Sequence, residues 1–189
     1  MTKRLSEMSL EELWELFPIF LTEHNEEWVK DYEQEANHLR NELVGRKVHI
    51  NHIGSTAVKS IWAKPIIDIL VEVPQNTNLH LCKKIIIKLG YRCMHETKTR
   101  ISFNKGYTKS GFADKVFHLH LRHENDNDEL YFRDYLNEDE DIAKEYETFK
   151  LDLWKKFEHD RDGYTNAKTD FISKCSLKAK QKYKNRYKR

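Results

Sequence analysis

The stretch IIDILVEV, Ile66 to Val73, limits the fold of this chain more than any other. Ile66, Ile67, Ile69, Leu70, Val71 and Val73 leave it no polar face, which is the pattern of a strand covered on both sides. Such a strand belongs inside a sheet that carries helices. Asp68 nevertheless stands in the middle of it, and an ionised carboxylate there is costly unless a cation or several donors meet it. A short loop upstream, Gly54-Ser55 interrupts the alternating stretch KVHINHI, Lys47 to Ile53.

The surrounding pattern predicts helices before and after a small mixed sheet, an α+β architecture. SLEE at Ser9–Glu12 has capping-box spacing, so a short helix starts there and stops near Pro18. Val29, Tyr32, Ala36, Leu39 and Leu43 recur at helical spacing, with Gly45 placed to end the helix. A helix over Leu79–Leu89 follows the buried strand, and Gly90 terminates it. YRCMHE, RISFNKGY and KVFHLHLRH read as strands. Beyond about Glu129 the chain reads as helical. Ile142, Tyr146, Phe149, Leu153 and Phe157 form a buried stripe, and Gly163 separates off a final helix. One domain is expected, with N-terminal helices (1–45), a sheet core (46–125) and a helical part (129–189).

Charged residues make up 34% of the 189 positions, and the net charge of +2 hides an asymmetry. Eight Lys and Arg residues follow Ser173 with no acid among them, which leaves the first 173 residues at a formal −6. Three widely spaced cysteines argue against a disulfide framework or zinc knuckle and for a reducing compartment. No apolar run approaches the roughly 20 residues that span a bilayer, and the start lacks a signal-peptide core, so a cytoplasmic protein without membrane contact is expected.

Three roles are open to Asp68: a metal ligand, a structural ion pair with Lys64 or Arg100, or a carboxylate facing a solvated cleft. Gly54, Ser55 and Thr56 are small enough for their backbone to approach a ligand, and turn amides form an anion nest. A phosphate held there and a metal held by Asp68 would be two halves of a nucleotidyl-transfer site, where magnesium bridges carboxylates and phosphate oxygens. His118 and His120, two apart on a strand, share a face about 6.6 Å apart. Imidazoles there suit a transition metal, phosphate donation or acid–base work. Lys64, Arg133 and Lys150 are candidate phosphate cations. Tyr146/Lys150 and Tyr164/Lys168 place each lysine one helical turn after a tyrosine.

HIGSTAV (His52–Val58), AKPIIDILV (Ala63–Val71), FHLHL (Phe117–Leu121) and FRDYL (Phe132–Leu136) resemble the GrpB family, whose fold is similar to that of the nucleotidyltransferase superfamily. The resemblance covers nearly the whole chain and implies a nucleotidyltransferase-like sheet. It supplies no settled activity, and fold alone does not either. The superfamily signature is Gly-Ser followed, after about a dozen residues, by a strand reading Asp-apolar-Asp/Glu. Here Gly54-Ser55 and Asp68 match, but Leu70 takes the second carboxylate position. Glu72, the next acid on that face, lies about 13 Å from Asp68 along a strand. Lys59-Ser60 also replaces the Pro-Gly common in relatives.

The primary expectation is a nucleotidyltransferase-like enzyme that needs a divalent metal (Mg, Mn or Zn) and acts on a nucleotide and an unspecified acceptor. Asp68, His118 and His120 would be catalytic, with Asp68 and His120 as metal ligands. Gly54, Ser55, Thr56, Lys64, Arg133 and Lys150 would bind substrate. The alternative is an inactive module binding a nucleotide or phosphorylated metabolite. A third reading is RNA association through the tail KCSLKAKQKYKNRYKR, whose tyrosines alternate with cations. HIGS lacks the second histidine of a HIGH motif. The scattered histidines lack zinc-ligand spacing, and no P-loop or dinucleotide fingerprint is present.

Overall fold

In the computed structural model, which describes residues 3–189, the buried strand is β2 (Ile67–Val73), second from one edge of a five-stranded sheet. The first two positions of the expected N-terminal part lie outside the described residues. The other strands are β1 (His49–Ile53), β3 (Arg92–Glu96), β4 (Arg100–Thr108) and β5 (Gly111–His123), in the order β1-β2-β5-β4-β3. Only β2 and β5 pair in parallel, and the other pairs are antiparallel. The β2–β5 register sets Asp68 beside His118 and Leu70 beside His120.

The helices are α1 (Leu10–Leu16), α2 (Glu27–Glu42), α3 (Leu79–Lys88), α4 (Asp128–Glu138), α5 (Glu140–Phe157) and α6 (Arg161–Tyr183). Ser9 caps α1 with the reciprocal Ser9/Glu12 bonds of a capping box. Ile67, Ile69, Val71 and Val73 point to the sheet face covered by α2 and α3, and join Trp28, Leu39, Leu79 and Ile86 in the main core. Asp68, Leu70 and Glu72 point to the opposite face, where Leu70 packs with Ile53, Leu130 and Tyr187. Both faces of β2 are covered, as its composition demanded.

Two local expectations are corrected. Strand β5 starts at Gly111, four residues earlier than its apolar pattern indicated, because Phe112 pairs with Tyr107 across a tight hairpin. Gly163 lies in the first turn of α6 rather than before it. Its amide donates to the Asp160 cap, and a Cβ there would stand 2.3 Å from Asp160 Oδ2.

The basic tail is folded onto the acids of its own chain. Arg186 meets Asp134 and Glu138, Lys182 meets Glu138, and Lys180 meets Asp128. Tyr187 donates to Asp134, and Tyr183 to Glu138. Arg189 reaches Glu72, which is fully buried and also accepts from Asn127 at 2.8 Å. Removing the cation from a buried carboxylate is costly. Arg189→Ala should therefore lower stability by about 1–3 kcal/mol, and a chemical denaturation curve matching the parent would refute this account of the tail.

Candidate functional site

The sheet face that carries Asp68 opens into a cleft of about 790 Å³ between the β2/β5 ends and helices α5 and α6. That volume suits a small-molecule ligand. One wall is the turn after β1. Gly54 adopts φ +73 and ψ −174, and a short 3₁₀ turn (Ser55–Ala57) follows. A Cβ at Gly54 would sit 2.3 Å from Asp68 Oδ2, so the turn is glycine because its backbone rests directly on the carboxylate. His52 holds the turn from below. Its ring stacks on Tyr32 at 4.6 Å and its Nε2 donates to Thr56 Oγ1 at 2.9 Å, while the Thr56 hydroxyl donates to the Ile66 carbonyl. Burial depresses the His52 pKa to about 4, so it works as a neutral strut.

Asp68 occupies the floor with 28% of its side chain open. Its Oδ1 lies 3.3 Å from His118 Nδ1 and 3.8 Å from His120 Nε2. Burial pushes the carboxyl upward, but the two imidazoles outweigh that and hold it well below the usual carboxylate range. Burial lowers His118 more than Asp68 raises it, which keeps the ring neutral. Its tautomer follows from its neighbours. Arg161 donates to the Tyr107 hydroxyl at 3.0 Å, so the Tyr107 proton goes to His118 Nε2 at 2.8 Å. Nδ1 then carries the proton that faces Asp68.

Besides Lys180, four cations line the same cleft: Lys64, Lys150, Lys168 and Arg161. Among the described residues none of them lies within 4 Å of a carboxylate, whereas Lys180 pairs with Asp128 and Arg122 with Glu129. Burial, with Lys168 and Arg161 nearby, lowers Lys64 to about 7. Burial also lowers Lys150 to about 7 and Lys168 to about 8. Lys64 and Lys168 lie over the Tyr164 ring, at 5.1 and 4.1 Å from its centroid. Lys150 is 2% exposed and lies over Tyr146 while donating to the Trp62 carbonyl. Glu147 accepts from the Trp62 amide at 2.6 Å, and Lys144 donates to Ser60 at 2.5 Å. Helix α5 thus pins the loop that contains Lys59-Ser60.

Of the residues expected at the site, Gly54, Ser55, Thr56, Lys64, Asp68, His118, His120 and Lys150 line the cleft. Arg133 does not. Its guanidinium donates to Asp134, the His52 carbonyl and Tyr187, tying α4 to β1 and the tail. Sequence reasoning set aside Lys168 despite its Tyr164 spacing, and missed Arg161 and Tyr107. Arg161 lies 54 residues from Tyr107, and neither sits in a motif.

The expected metal pair, Asp68 and His120, gains no third ligand. Among the described residues, no three His, Cys, Asp or Glu side chains are grouped to hold an ion. Leu70 fills the second carboxylate position and is wholly buried, and Glu72 is committed to Asn127 and Arg189. The residues present do not fit the paired-carboxylate magnesium centre.

A family model described as GrpB protein matches residues 18–178. The chain belongs to the GrpB family. The glutamate-rich protein GrpB of Alkalihalophilus pseudofirmus is 33% identical over 162 residues, spanning 82% of this chain and 91% of that protein. The crystal structure of the conserved protein GrpB from Enterococcus faecalis superposes with a TM-score of 0.76 and 32% identity, over 87% of this chain and 99% of that one. More distant neighbours share only the fold. The Cid1 poly(U) polymerase, solved with magnesium and 3′-dATP, gives a TM-score of 0.51 at 11% identity, covering 84% of this chain and 51% of its own. The GLD-2/RNP-8 complex gives 0.52 at 12%, covering 88% and 59%. This GrpB-family chain therefore has an α+β, nucleotidyltransferase-type fold. Its tail clasp, beyond residue 178, lies outside the family match.

Proposed function

We propose that the cleft binds a nucleotide or related phosphorylated small molecule through its phosphates. One observation carries this reading: Lys64, Lys150, Lys168 and Arg161 converge on a cleft beside the Gly54-Ser55 turn without carboxylate partners. Holding unpaired ammonium groups half-buried is unfavourable, as their lowered pKa values record, and an arriving phosphate relieves that cost. The turn adds backbone donors.

Isothermal titration with ATP, GTP, CTP and UTP, and with adenosine as the phosphate-free control, tests the reading. Nucleotides bind and adenosine does not. Lys64→Ala and Lys168→Ala each weaken binding about tenfold or more, the worth of a charge-assisted contact. Adenosine binding as tightly as ATP, or no binding by any nucleotide, would overturn it.

A second reading, nucleotidyl transfer to an acceptor hydroxyl, draws on the chain Arg161–Tyr107–His118–Asp68. In this reading Asp68 would orient an acceptor hydroxyl beside the phosphate site by accepting its hydrogen bond. Pyrophosphate released from a nucleoside triphosphate by the parent, and not by Asp68→Asn, would favour transfer over simple binding.

A further inference from the structure

We infer that the cleft takes its polyphosphate free of divalent metal, with Lys64, Lys168 and Arg161 supplying the charge neutralisation that an ion otherwise provides. This rests on the phosphate-binding reading above and deepens it, by naming the form of the ligand.

The carboxylates needed to grip a dication are not available on β2. Leu70, two residues beyond Asp68 on the same face, is sealed against Ile53, Leu130 and Tyr187. Glu72 is fully buried at the far end and held by Asn127 and Arg189. The carboxylate of Asp68, though 28% open, is crowded on both oxygens. Oδ1 faces His118 and His120, and Oδ2 is so close to the Gly54 backbone that a Cβ would stand 2.3 Å from it.

Cations occupy the surroundings instead. Lys64 and Lys168 share the Tyr164 ring, and Arg161 is fixed at the cleft by its bond to Tyr107. A dication entering among these groups meets like charge with Asp68 to offset it, since the other two carboxylates of the cleft, Asp128 and Glu129, are paired with Lys180 and Arg122, and a low-dielectric cleft amplifies that repulsion. A free terminal phosphate brings about two negative charges, which these groups are placed to meet. Magnesium bound to the same oxygens cancels that charge before the ligand arrives. His118 is committed on both ring nitrogens, its Nδ1 proton facing Asp68 and its Nε2 filled by the Tyr107 hydroxyl, so it has no lone pair left for a metal.

The test is a titration of the full chain with ATP in EDTA, repeated with magnesium, then manganese, in excess over the nucleotide. Metal-free ATP should bind about fivefold or more tighter than MgATP, because complexation removes charge the lysines recognise. That preference should shrink in Lys64→Gln and Lys168→Gln, with circular dichroism confirming that each variant is folded. Binding that appears only with magnesium or manganese would overturn the inference and leave phosphate binding intact. Binding in neither condition would overturn both.

Discussion

Gly54→Ala should cost about 3 kcal/mol or more in stability and abolish ligand binding with it. Two effects add at this position. The backbone lies at φ +73 and ψ −174, a region that only glycine occupies freely. The new methyl carbon would also stand 2.3 Å from Asp68 Oδ2 and 3.0 Å from its Cβ and Cγ. Asp68 cannot retreat, because its backbone is paired on both sides, to Ile53 and His118, and its carboxylate faces the His118 ring. For a chain of this length the melting temperature should fall by roughly 6–12 °C. Gly45→Ala is the matched control. It has φ +78 but nothing within 4 Å of the added carbon, so it carries backbone strain alone, about 1 kcal/mol. Differential scanning calorimetry of both variants decides the matter. A Gly54→Ala protein no less stable than Gly45→Ala would mean that the contact between turn and carboxylate is not tight in solution.

Lys168→Met should move stability and binding in opposite directions. Lys168 is held at about 8 by burial, and no carboxylate within 4 Å repays the cost of its charge. The unfolded chain releases this proton near the ordinary lysine value of about 10.4. Between those two pH values the unfolded state binds more protons, so the parent gains stability as pH rises from about 8 toward 10. Below about 8 the folded state bears the full penalty of the buried charge. Replacing the ammonium by an apolar chain of similar length should therefore raise stability at pH 7 by about 1 kcal/mol, roughly 2–4 °C. That gain should fade by pH 10. Nucleotide affinity should fall about tenfold or more in the same variant, since the phosphate loses a charged donor. Thermal melts at pH 7 and pH 10, paired with ATP titrations, give both readouts. If Lys168→Met loses stability, the lysine supports the fold and the cationic cleft is not a binding device.

The opposed signs carry a general point about this cleft. Its lysines lower the stability of the empty protein, and their value lies in what they meet there. Lys64, lowered to about 7 by burial, Lys168 and Arg161, belongs to the same balance. Lys150 does not, because it also holds the Trp62 carbonyl and so secures the loop after the turn.

Much of this was written locally in the chain. The apolar run around Asp68 specified a strand covered on both faces, and the structure places it between α2 and α3 on one side and α4 with Tyr187 of the tail on the other. The Ser9 capping box and the helical stripe from Ile142 to Phe157 set their helices. Two-residue alternation placed His118 and His120 on one face of β5, and the parallel register then brought His118 beside Asp68. These are short-range periodicities, and backbone geometry converts them directly into faces and turns.

Tertiary structure alone decided which partner each polar side chain met. Arg133 read as a phosphate cation, but packing of α4 against β1 hands it to Asp134, the His52 carbonyl and Tyr187. The run of eight cations after Ser173 read as free charge, yet Asp128, Asp134, Glu138 and Glu72 meet Lys180, Lys182, Arg186 and Arg189 in the fold. Arg161 and Tyr107 carried no signal at all, because their significance arises from a contact across 54 residues. A side chain's type fixes the interactions it is capable of. The packing of distant elements selects the one it makes, and no local pattern encodes that choice.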